Sequence, residues 1–167
     1  KINTSTMEFE TDLDTFKADA ASVIPAQQAG RIAMNAGVNK GDWCPIVPAS
    51  MQSQADENIY VLGDASIAKS MPKSGFSANS QAKVAANHIR GSLTGSKVFA
   101  PRFANTCWSL VATNDGIKVG ANYDAKPDKI NKTSGFISKK GEDSNLRKAT
   151  YEESIGWYSG ITSDMFS

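Results

Sequence analysis

The stretch from Ile59 to Gly91 constrains the fold of this chain more than any other. A short apolar run, Ile59 to Leu62, ends at Gly63-Asp64, and a loop and then a long helix-forming segment follow. This order predicts a buried strand, a loop and a helix. Glycine lets the backbone approach a ligand, and an adjacent carboxylate accepts hydrogen bonds from sugar or ribityl hydroxyls. We therefore expect part of a ligand site at Gly63 and Asp64.

The helix behind this turn is expected to begin near Phe76 or Ser77, because Ser74 and Ser77 can cap it, and to end at Gly91 and Gly95. A helix start carries free N–H groups and positive potential, which suit an anion or a developing negative charge. One face consists of small or apolar residues, and simple packing against a sheet explains it as well as a nearby cofactor does. This face comprises Ala78, Ala82, Ala85, Ala86 and Ile89.

Composition excludes several classes of protein. The chain has 167 residues, the size of one domain or two small ones, with 40% hydrophobic and 21% charged residues. A net charge of +1 argues against a dedicated nucleic-acid surface. No apolar run is long enough for a membrane span, and no signal-peptide pattern opens the chain. Because Lys1 replaces an initiator Met, we expect a processed or fragmentary chain.

The two cysteines and the one histidine suggest no metal site. Cys107 lies in an apolar run and is expected to be a buried thiol. Cys44 lies between Trp43 and Pro45, which predict a rigid exposed turn. His88 lies deep in the long helix with no acid or nucleophile beside it in sequence, so a capped or solvated helix histidine is expected rather than a catalytic base.

The first third of the chain predicts short elements. Alternation over Met7 to Thr11, a turn, and strand-like residues from Phe16 to Ile24 predict a hairpin that leads into a buried strand. Helical spacing over Gln27 to Ala36 predicts a short helix with Gly37 as its C-cap. Residues 39–53 have the composition of a loop.

The last third predicts a hairpin and a helix. Asn114-Asp115-Gly116 separates two β-rich runs, so paired strands are expected at about 106–113 and 117–124. Within the polar segment 124–145, only Phe136 and Ile137 are expected to form a short strand. An amphipathic helix is predicted over Glu152 to Met165. Its apolar positions, expected to face the core, are Ile155, Trp157, Tyr158, Ile161 and Met165.

Five motifs, taken in order, point to a family. They are Gly41 to Pro45 (GDWCP), Tyr60 to Ala65 (YVLGDA), Met71 to Gln81 (MPKSGFSANSQ), Asn105 to Leu110 (NTCWSL) and Gly156 to Thr162 (GWYSGIT). Together they resemble the carboxyl-terminal portion of the flavoprotein subunit of flavocytochrome c sulfide dehydrogenase, over nearly the whole chain. The resemblance implies an α/β fold, here an α+β fragment of a glutathione-reductase-like protein with two dinucleotide-binding domains. An antiparallel hairpin and terminal helix domain completes it.

The resemblance also implies three domains and an incomplete cofactor site. Residues 1–36 would end the second nucleotide-type domain, 37–98 would be the returning part of the FAD-binding domain, and 99–167 would be the family's own carboxyl-terminal domain. The chain lacks the Gly-x-Gly-x-x-Gly turn that holds the ADP part of FAD. The FAD site and a second redox cysteine are therefore expected to be completed by an upstream part of the same flavoprotein.

Site residues follow from the resemblance. Cys44 would be the catalytic half of a redox-active disulfide over the flavin, attacked by sulfide, and Asp64 would hold a ribityl hydroxyl of FAD. Lys73 and the N–H groups near Ser77 and Ala78 would face the pyrimidine edge of the flavin, and Trp157 would lie near the electron-transfer interface with a c-type cytochrome subunit. A periplasmic location is implied. The full set of implied cofactor-binding residues is Gly63, Asp64, Lys73, Ser74, Gly75, Ser77 and Ala78.

Two alternatives remain open at this stage. The first is a folded fragment or cytochrome-docking module without catalysis, because half the FAD site and one sulfur are absent. The second is part of another FAD-dependent disulfide reductase or of a sulfide:quinone reductase. A quinone enzyme calls for an apolar, membrane-facing terminal region, and the polar segment 124–145 argues against it, although an amphipathic terminal helix is compatible with it.

Overall fold

The computed structural model describes residues 1–166 and has an α+β architecture with two small antiparallel sheets. The predicted fold class is confirmed. Ser167, the last residue of the predicted third domain, lies outside the described residues. The strands are β1 (Ile2–Asn3), β2 (Glu8–Glu10), β3 (Thr15–Lys17), β4 (Arg102–Ala112), β5 (Asp115–Ala125) and β6 (Ile130–Ile137). The helices are α1 (Arg31–Asn35), α2 (Gly75–Thr94) and α3 (Ser144–Phe166), and a 3₁₀ turn covers Gly63–Ala65.

The amino-terminal sheet has the order β1-β2-β3, and the rings of Phe9 and Phe16 stack across it at 5.2 Å. The predicted hairpin is present, but the predicted strand from Phe16 to Ile24 is wrong. β2 has three residues, so β3 finds cross-strand partners only up to Lys17. Beyond that point the chain is irregular, and Ile24 is 85% exposed.

The first helix is shorter than the predicted span, Gln27 to Ala36. The Ala29 N–H donates to the Asp42 carbonyl at 2.7 Å, which holds the backbone before Gly30 out of the helix. Ala36 is the C-cap, and Gly37 follows it with φ +67°. Gly37, the predicted C-cap, therefore lies one position beyond the observed cap, in the left-handed conformation that glycine favours after a helix.

Residues 38–72 are irregular, and the strand predicted at Ile59 to Leu62 is wrong. This segment is extended, but only Tyr60 pairs with a neighbour, through an isolated bridge to Gln52. The Val61 N–H donates to the Met51 carbonyl at 3.0 Å. A strand needs a continuous partner, and the described residues provide only these separate bonds. The segment nevertheless delivers Gly63 and Asp64 to the start of α2.

Helix α2 packs on β4 with a different face from the predicted one. Ser74 is its N-cap and Gly95, with φ +68°, is its C-cap, so the predicted ends hold to within two residues. Gly91 lies inside the helix, where a Cβ would approach Val98 Cγ2 to 2.2 Å. Of the predicted small-residue face, Ala86 and Ile89 are exposed. The buried residues are Ser77, Gln81, Val84, Ala85 and Gly91.

The carboxyl-terminal sheet has the order β4-β5-β6, and the predicted hairpin is confirmed. Its turn is different, because Ala112 pairs with Asp115 and the loop is Thr113-Asn114, with Asn114 at φ 60°. Gly116 belongs to β5 and lies against α3. The predicted two-residue strand at Phe136 and Ile137 is the end of the eight-residue strand β6.

Helix α3 starts eight residues before the predicted Glu152, at Ser144. Side-chain ion pairs join Arg147 to Asp115 and Lys118 to Glu153, which fixes the first half of the helix on β5. The second half runs beside α2, where Lys83 lies 3.7 Å from Asp164. Because only one side of this half is covered, the prediction of a fully core-facing apolar stripe is wrong. Trp157 and Ile161 are half-buried, whereas Ile155, Tyr158 and Met165 are exposed.

Among residues 1–166, no helix combines the length and apolar character that crossing a membrane requires. The same residues contain no group of three or more His, Cys, Asp or Glu side chains placed to hold a metal ion.

Candidate flavin site

The Gly63-Asp64 turn is held in place by helix α2. Gly63 has φ +67°, which favours glycine, and the buried Gln81 accepts a hydrogen bond from its N–H through Oε1 at 2.7 Å. Ser66 Oγ donates to the Gly63 carbonyl at 2.8 Å. The turn therefore has a fixed conformation, with the Asp64 side chain exposed at its tip.

The start of α2 is fixed by a buried amide from the carboxyl-terminal sheet. Asn105 Oδ1 accepts hydrogen bonds from Ser74 Oγ at 2.5 Å and from Ser77 Oγ at 3.1 Å. Ser74 Oγ accepts from the Ser77 N–H at 3.1 Å, and the Ala78 N–H donates to the Ser74 carbonyl at 2.9 Å. The helix start itself thus uses the Ser77 and Ala78 N–H groups, and the place of this part of the helix at the pyrimidine edge of a flavin stays a prediction.

Lys73 joins the turn to the region around Cys44. Its ammonium donates to the backbone carbonyls of Asp64 and, at 3.3 Å, Ser66, and it lies 3.6 Å from the ring centroid of Trp43. Partial burial lowers the pKa of Lys73, and the negative charges of Asp64 and of a Cys44 thiolate oppose that shift. A cation in this position attracts an anion in the adjoining cleft or a thiolate at Cys44.

Cys44 is fully buried, which contradicts the predicted exposed turn. Its N–H donates to the Ala65 carbonyl at 2.9 Å and its carbonyl accepts from the Ile67 N–H at 2.8 Å. These bonds draw Cys44 against the segment after Asp64 and cover its side chain. Burial raises the pKa of the Cys44 thiol, and the positive charge of Lys73 partly offsets that rise.

Cys107 shows the opposite error, because it was predicted to be buried and is exposed. Phe103 and Asn105, on the same face of β4, are buried. Burial on this face thus ends after Asn105. Apolar residues near Cys107 in the sequence do not ensure that its side chain is buried, since the rest of the strand extends past α2.

A cleft of about 190 Å³ lies among Gly63, Lys73, the start of α2 and Trp43; Cys44, next to Trp43 in the chain, does not line it. Its walls include four of the seven predicted cofactor-binding residues, while Asp64, Gly75 and Ala78 adjoin the lining in sequence. The cleft is smaller than the roughly 300–1,000 Å³ of a typical ligand pocket. The groups present, a carboxylate, an ammonium and a capped helix start, are of the kinds that suit the polar parts of a flavin. The wall residues named in the sequence analysis are Gly63, Lys73, Ser74 and Ser77.

Trp157 lies in an aromatic cluster beside the start of α2. Its ring stacks on that of Phe76, with 5.5 Å between the ring centroids and an interplanar angle of 18°. The centroids of the Trp157 and Trp108 rings are also 5.5 Å apart. A Cβ on Gly75 would lie 4.0 Å from the Trp157 ring. Trp157 is therefore a packing residue close to the candidate site, and its place at an electron-transfer interface stays a prediction.

His88 has a hydrogen-bond partner in the segment before the Gly63-Asp64 turn. Its Nδ1 lies 2.8 Å from the Tyr60 hydroxyl. This contact fastens the extended segment before Gly63 to the middle of α2.

Sequence reasoning missed three residues that hold the site together: Trp43, Gln81 and Asn105. Gln81 offered a signal, because a polar side chain within an otherwise small and apolar helical stripe requires a buried partner. Asn105 and Trp43 gave no such signal, since their partners lie about thirty residues away in the chain.

Replacing Gln81 with leucine is expected to destabilise the fold by about 1–3 kcal/mol, because the Gly63 N–H loses its buried acceptor while the volume is kept. Urea unfolding measures this loss, and faster hydrogen exchange at the Gly63 amide localises it. Gln28→Leu, at an exposed position, is the control and should change stability by no more than about 0.5 kcal/mol. Unchanged protection at Gly63 in the Gln81 variant would contradict the role of this bond.

Comparison with known families identifies the carboxyl-terminal part of the chain. Residues 99–166 match the family model described as flavocytochrome c sulphide dehydrogenase, flavin-binding. The match spans β4, β5, β6 and α3, and so includes Asn105 and Trp157. The family implies an oxidoreductase with a flavin cofactor and a cytochrome partner. Residues 99–166 are thus similar to the flavin-binding domain of flavocytochrome c sulphide dehydrogenase.

Proposed function

We propose that this chain is the carboxyl-terminal part of a sulfide:cytochrome c oxidoreductase that works with FAD in the periplasm. One observation carries the proposal: Lys73 links the Gly63-Asp64 turn, the start of α2 and the surroundings of Cys44 at a single cleft. The family match of residues 99–166 supports the flavin and the cytochrome. The residues before 99 then supply the chemistry, and the matched part supplies Asn105, which anchors the start of α2.

In the proposed reaction Cys44 forms a disulfide with a cysteine from an upstream part of the flavoprotein. Sulfide attacks one sulfur, the S–S bond breaks, a persulfide forms on the attacked sulfur, and the other sulfur leaves as a thiolate. Sulfide is thereby oxidised and the disulfide reduced, and bound FAD would supply the two-electron acceptor that restores the disulfide, with a c-type cytochrome as the next acceptor. When Cys44 is the sulfur that leaves, Lys73 stabilises its thiolate, because the positive charge offsets part of the cost of ionising a buried thiol.

The residues around the cleft would divide the binding of FAD among them. Asp64, exposed at the tip of a rigid turn, would accept a hydrogen bond from a ribityl hydroxyl. Lys73 would place positive charge near the pyrimidine edge of the ring, where negative charge develops on reduction. Ser74 and Gly75, at the start of α2, would lie beside the ring; Ser77 lines the cleft and Ala78 follows it, and the N–H groups of both bond to Ser74.

Replacing Asp64 with alanine in the full-length flavoprotein is expected to weaken retention of FAD by about 1–3 kcal/mol, the usual effect of losing a buried hydrogen bond to a charged acceptor. The flavin absorbance that remains after dialysis, titrated back with free FAD, measures the change. Asp128→Ala, an exposed carboxylate outside the cleft, should retain FAD as the unchanged protein does. Equal retention in the two variants would remove Asp64 from the site.

A second candidate function is a cytochrome-docking module without catalysis. It is favoured by the small volume of the cleft and the full burial of Cys44, since neither a flavin nor sulfide reaches such a site in this chain alone. The same absorbance measurement separates the two functions. FAD bound by this chain together with the upstream part supports the oxidoreductase, and its absence from the mixture supports the docking module.

A further inference from the structure

Trp43 and Lys73 form a contact that the proposed function leaves unexplained. The Lys73 ammonium lies 3.6 Å from the centroid of the Trp43 ring, within the range of a favourable cation–π interaction. Trp43 is half-buried and immediately precedes Cys44 in the chain, whereas Lys73 is exposed. An exposed lysine with a flexible four-carbon side chain usually extends into water. Here the indole ring keeps the ammonium against the protein.

The held position of the ammonium is next to Cys44. Lys73 donates to the Ser66 carbonyl at 3.3 Å, and Ser66 pairs with Cys44 through a parallel bridge. Cys44 in turn donates its N–H to the Ala65 carbonyl at 2.9 Å. The cation and the cysteine are therefore attached to the same short backbone segment. Among the described residues, Lys73 is the charged group that acts on Cys44, and Asp64 and Cys44 are those that act on Lys73.

We propose that Trp43 is a positioning residue that holds the Lys73 ammonium beside Cys44 and so maintains the reactivity of its sulfur. The inference rests on the proposed function for its purpose, since only a reacting Cys44 makes the position of this cation important. The contact itself can be tested without turnover. Removal of the indole leaves Lys73 with backbone carbonyls alone, and its ammonium then spends more time in solvent, farther from the sulfur.

The direction of the effect follows from electrostatics. Burial raises the pKa of Cys44, and Lys73 lowers it. If Trp43 holds Lys73 in place, loss of the ring weakens the lowering influence, and the pKa of Cys44 rises further. At neutral pH the thiolate fraction then falls, and thiolate is the form that takes part in disulfide exchange.

The test is an NMR titration of Cys44 in the 167-residue chain. In a Cys107→Ser background, cysteine labelled with ¹³C at Cβ reports only Cys44, and its chemical shift is followed against pH. The variants are Trp43→Leu, Trp43→Phe, Lys73→Met and the double variant Trp43→Leu/Lys73→Met. The amide spectrum of each variant shows whether it folds.

Trp43→Leu and Lys73→Met are both expected to move the Cys44 midpoint to higher pH, with the larger shift for Lys73→Met. Trp43→Phe should fall between the parent protein and Trp43→Leu, because a benzene ring binds cations less strongly than an indole ring. The decisive comparison is the double variant, which should titrate like Lys73→Met. An unchanged midpoint in Trp43→Leu, or a full additional shift in the double variant, overturns the proposal.

Two safeguards keep the result decisive. If Trp43→Leu does not fold, the comparison of Trp43→Phe with and without Lys73→Met makes the same test.

The titration is also independent of the oxidoreductase function. Failure of Cys44 to act in sulfide oxidation would leave the titration shifts in place, whereas failure of the Trp43 contact would remove the shifts and leave the catalytic role of Cys44 standing.

Discussion

Replacing Cys44 with serine in the full-length flavoprotein is expected to abolish sulfide oxidation while FAD stays bound. A hydroxyl cannot form the disulfide that sulfide attacks, so the covalent route is lost, and removal of a covalent nucleophile typically costs on the order of a thousandfold or more in rate. The residues proposed to hold FAD, chiefly Asp64 and Lys73, are unchanged. The rate of cytochrome c reduction by sulfide and the flavin absorbance of the same sample measure the two outcomes.

The second cysteine of the chain provides a matched control. Cys107 is exposed on β4 and takes no part in the proposed reaction, so Cys107→Ser should oxidise sulfide at the parent rate. Because Cys44 is fully buried, a serine there also places a hydroxyl in the core and costs about 1–3 kcal/mol. Cys44→Ala avoids this cost and should be equally inactive. Normal turnover in either Cys44 variant removes this sulfur from the mechanism.

Features that depend on neighbouring residues in the chain were predictable. Ser74 caps α2 because its hydroxyl reaches an N–H three residues on, and Gly95 ends the helix because it adopts φ +68°. The hairpin of β4 and β5 was predictable because two β-rich runs flank a short polar turn. The prediction placed the turn two residues too late in the chain. Asn114 adopts positive φ in the observed turn, and Gly116 lies in β5, where it packs against α3.

Burial was much less predictable, because it depends on distant parts of the chain. Cys44 has the local sequence of an exposed turn, yet hydrogen bonds to Ala65 and Ile67, more than twenty residues on, bury it completely. Cys107 has the local sequence of a core strand but lies where β4 leaves the cover of α2. The same reasoning applies to Ile59 to Leu62, whose apolar character predicts a strand for which the described residues provide no continuous partner.

The candidate site was likewise predictable in its local parts and unpredictable in its long-range contacts. Its main-chain parts, the Gly63-Asp64 turn and the start of α2, followed from glycine, aspartate and capping residues at short spacing. Its organisation depends on long side chains that reach across the fold, namely Gln81 to Gly63, Asn105 to Ser74 and Lys73 to Trp43. No periodicity in a single sequence indicates such contacts. Short-range spacing therefore predicts the residue types of the site, whereas their arrangement depends on contacts between distant segments.

Replacing Gly116 with alanine is expected to destabilise the chain by about 1–3 kcal/mol, because overpacking against backbone cannot be relieved by a side-chain rotation. A Cβ at this position would lie 2.8 Å from the Tyr151 nitrogen and 3.0 Å from its Cα. Accommodation requires helix α3 to move away from β5. For a chain of this length the loss corresponds to a decrease in Tm of about 2–4 °C per kcal/mol. Thermal unfolding followed by circular dichroism measures it.

Gly160, in helix α3, provides a control for which the expected change in stability has the opposite sign. No heavy atom lies within 4 Å of a Cβ built there, so Gly160→Ala should stabilise the chain by up to about 1 kcal/mol through helix propensity. The Gly116 variant should also change the fluorescence of Trp157, because α3 carries this ring into the cluster with Phe76 at the start of α2. Equal stability of the two variants would show that α3 can shift on β5 without cost, and the candidate site would then have no rigid support from the matched domain.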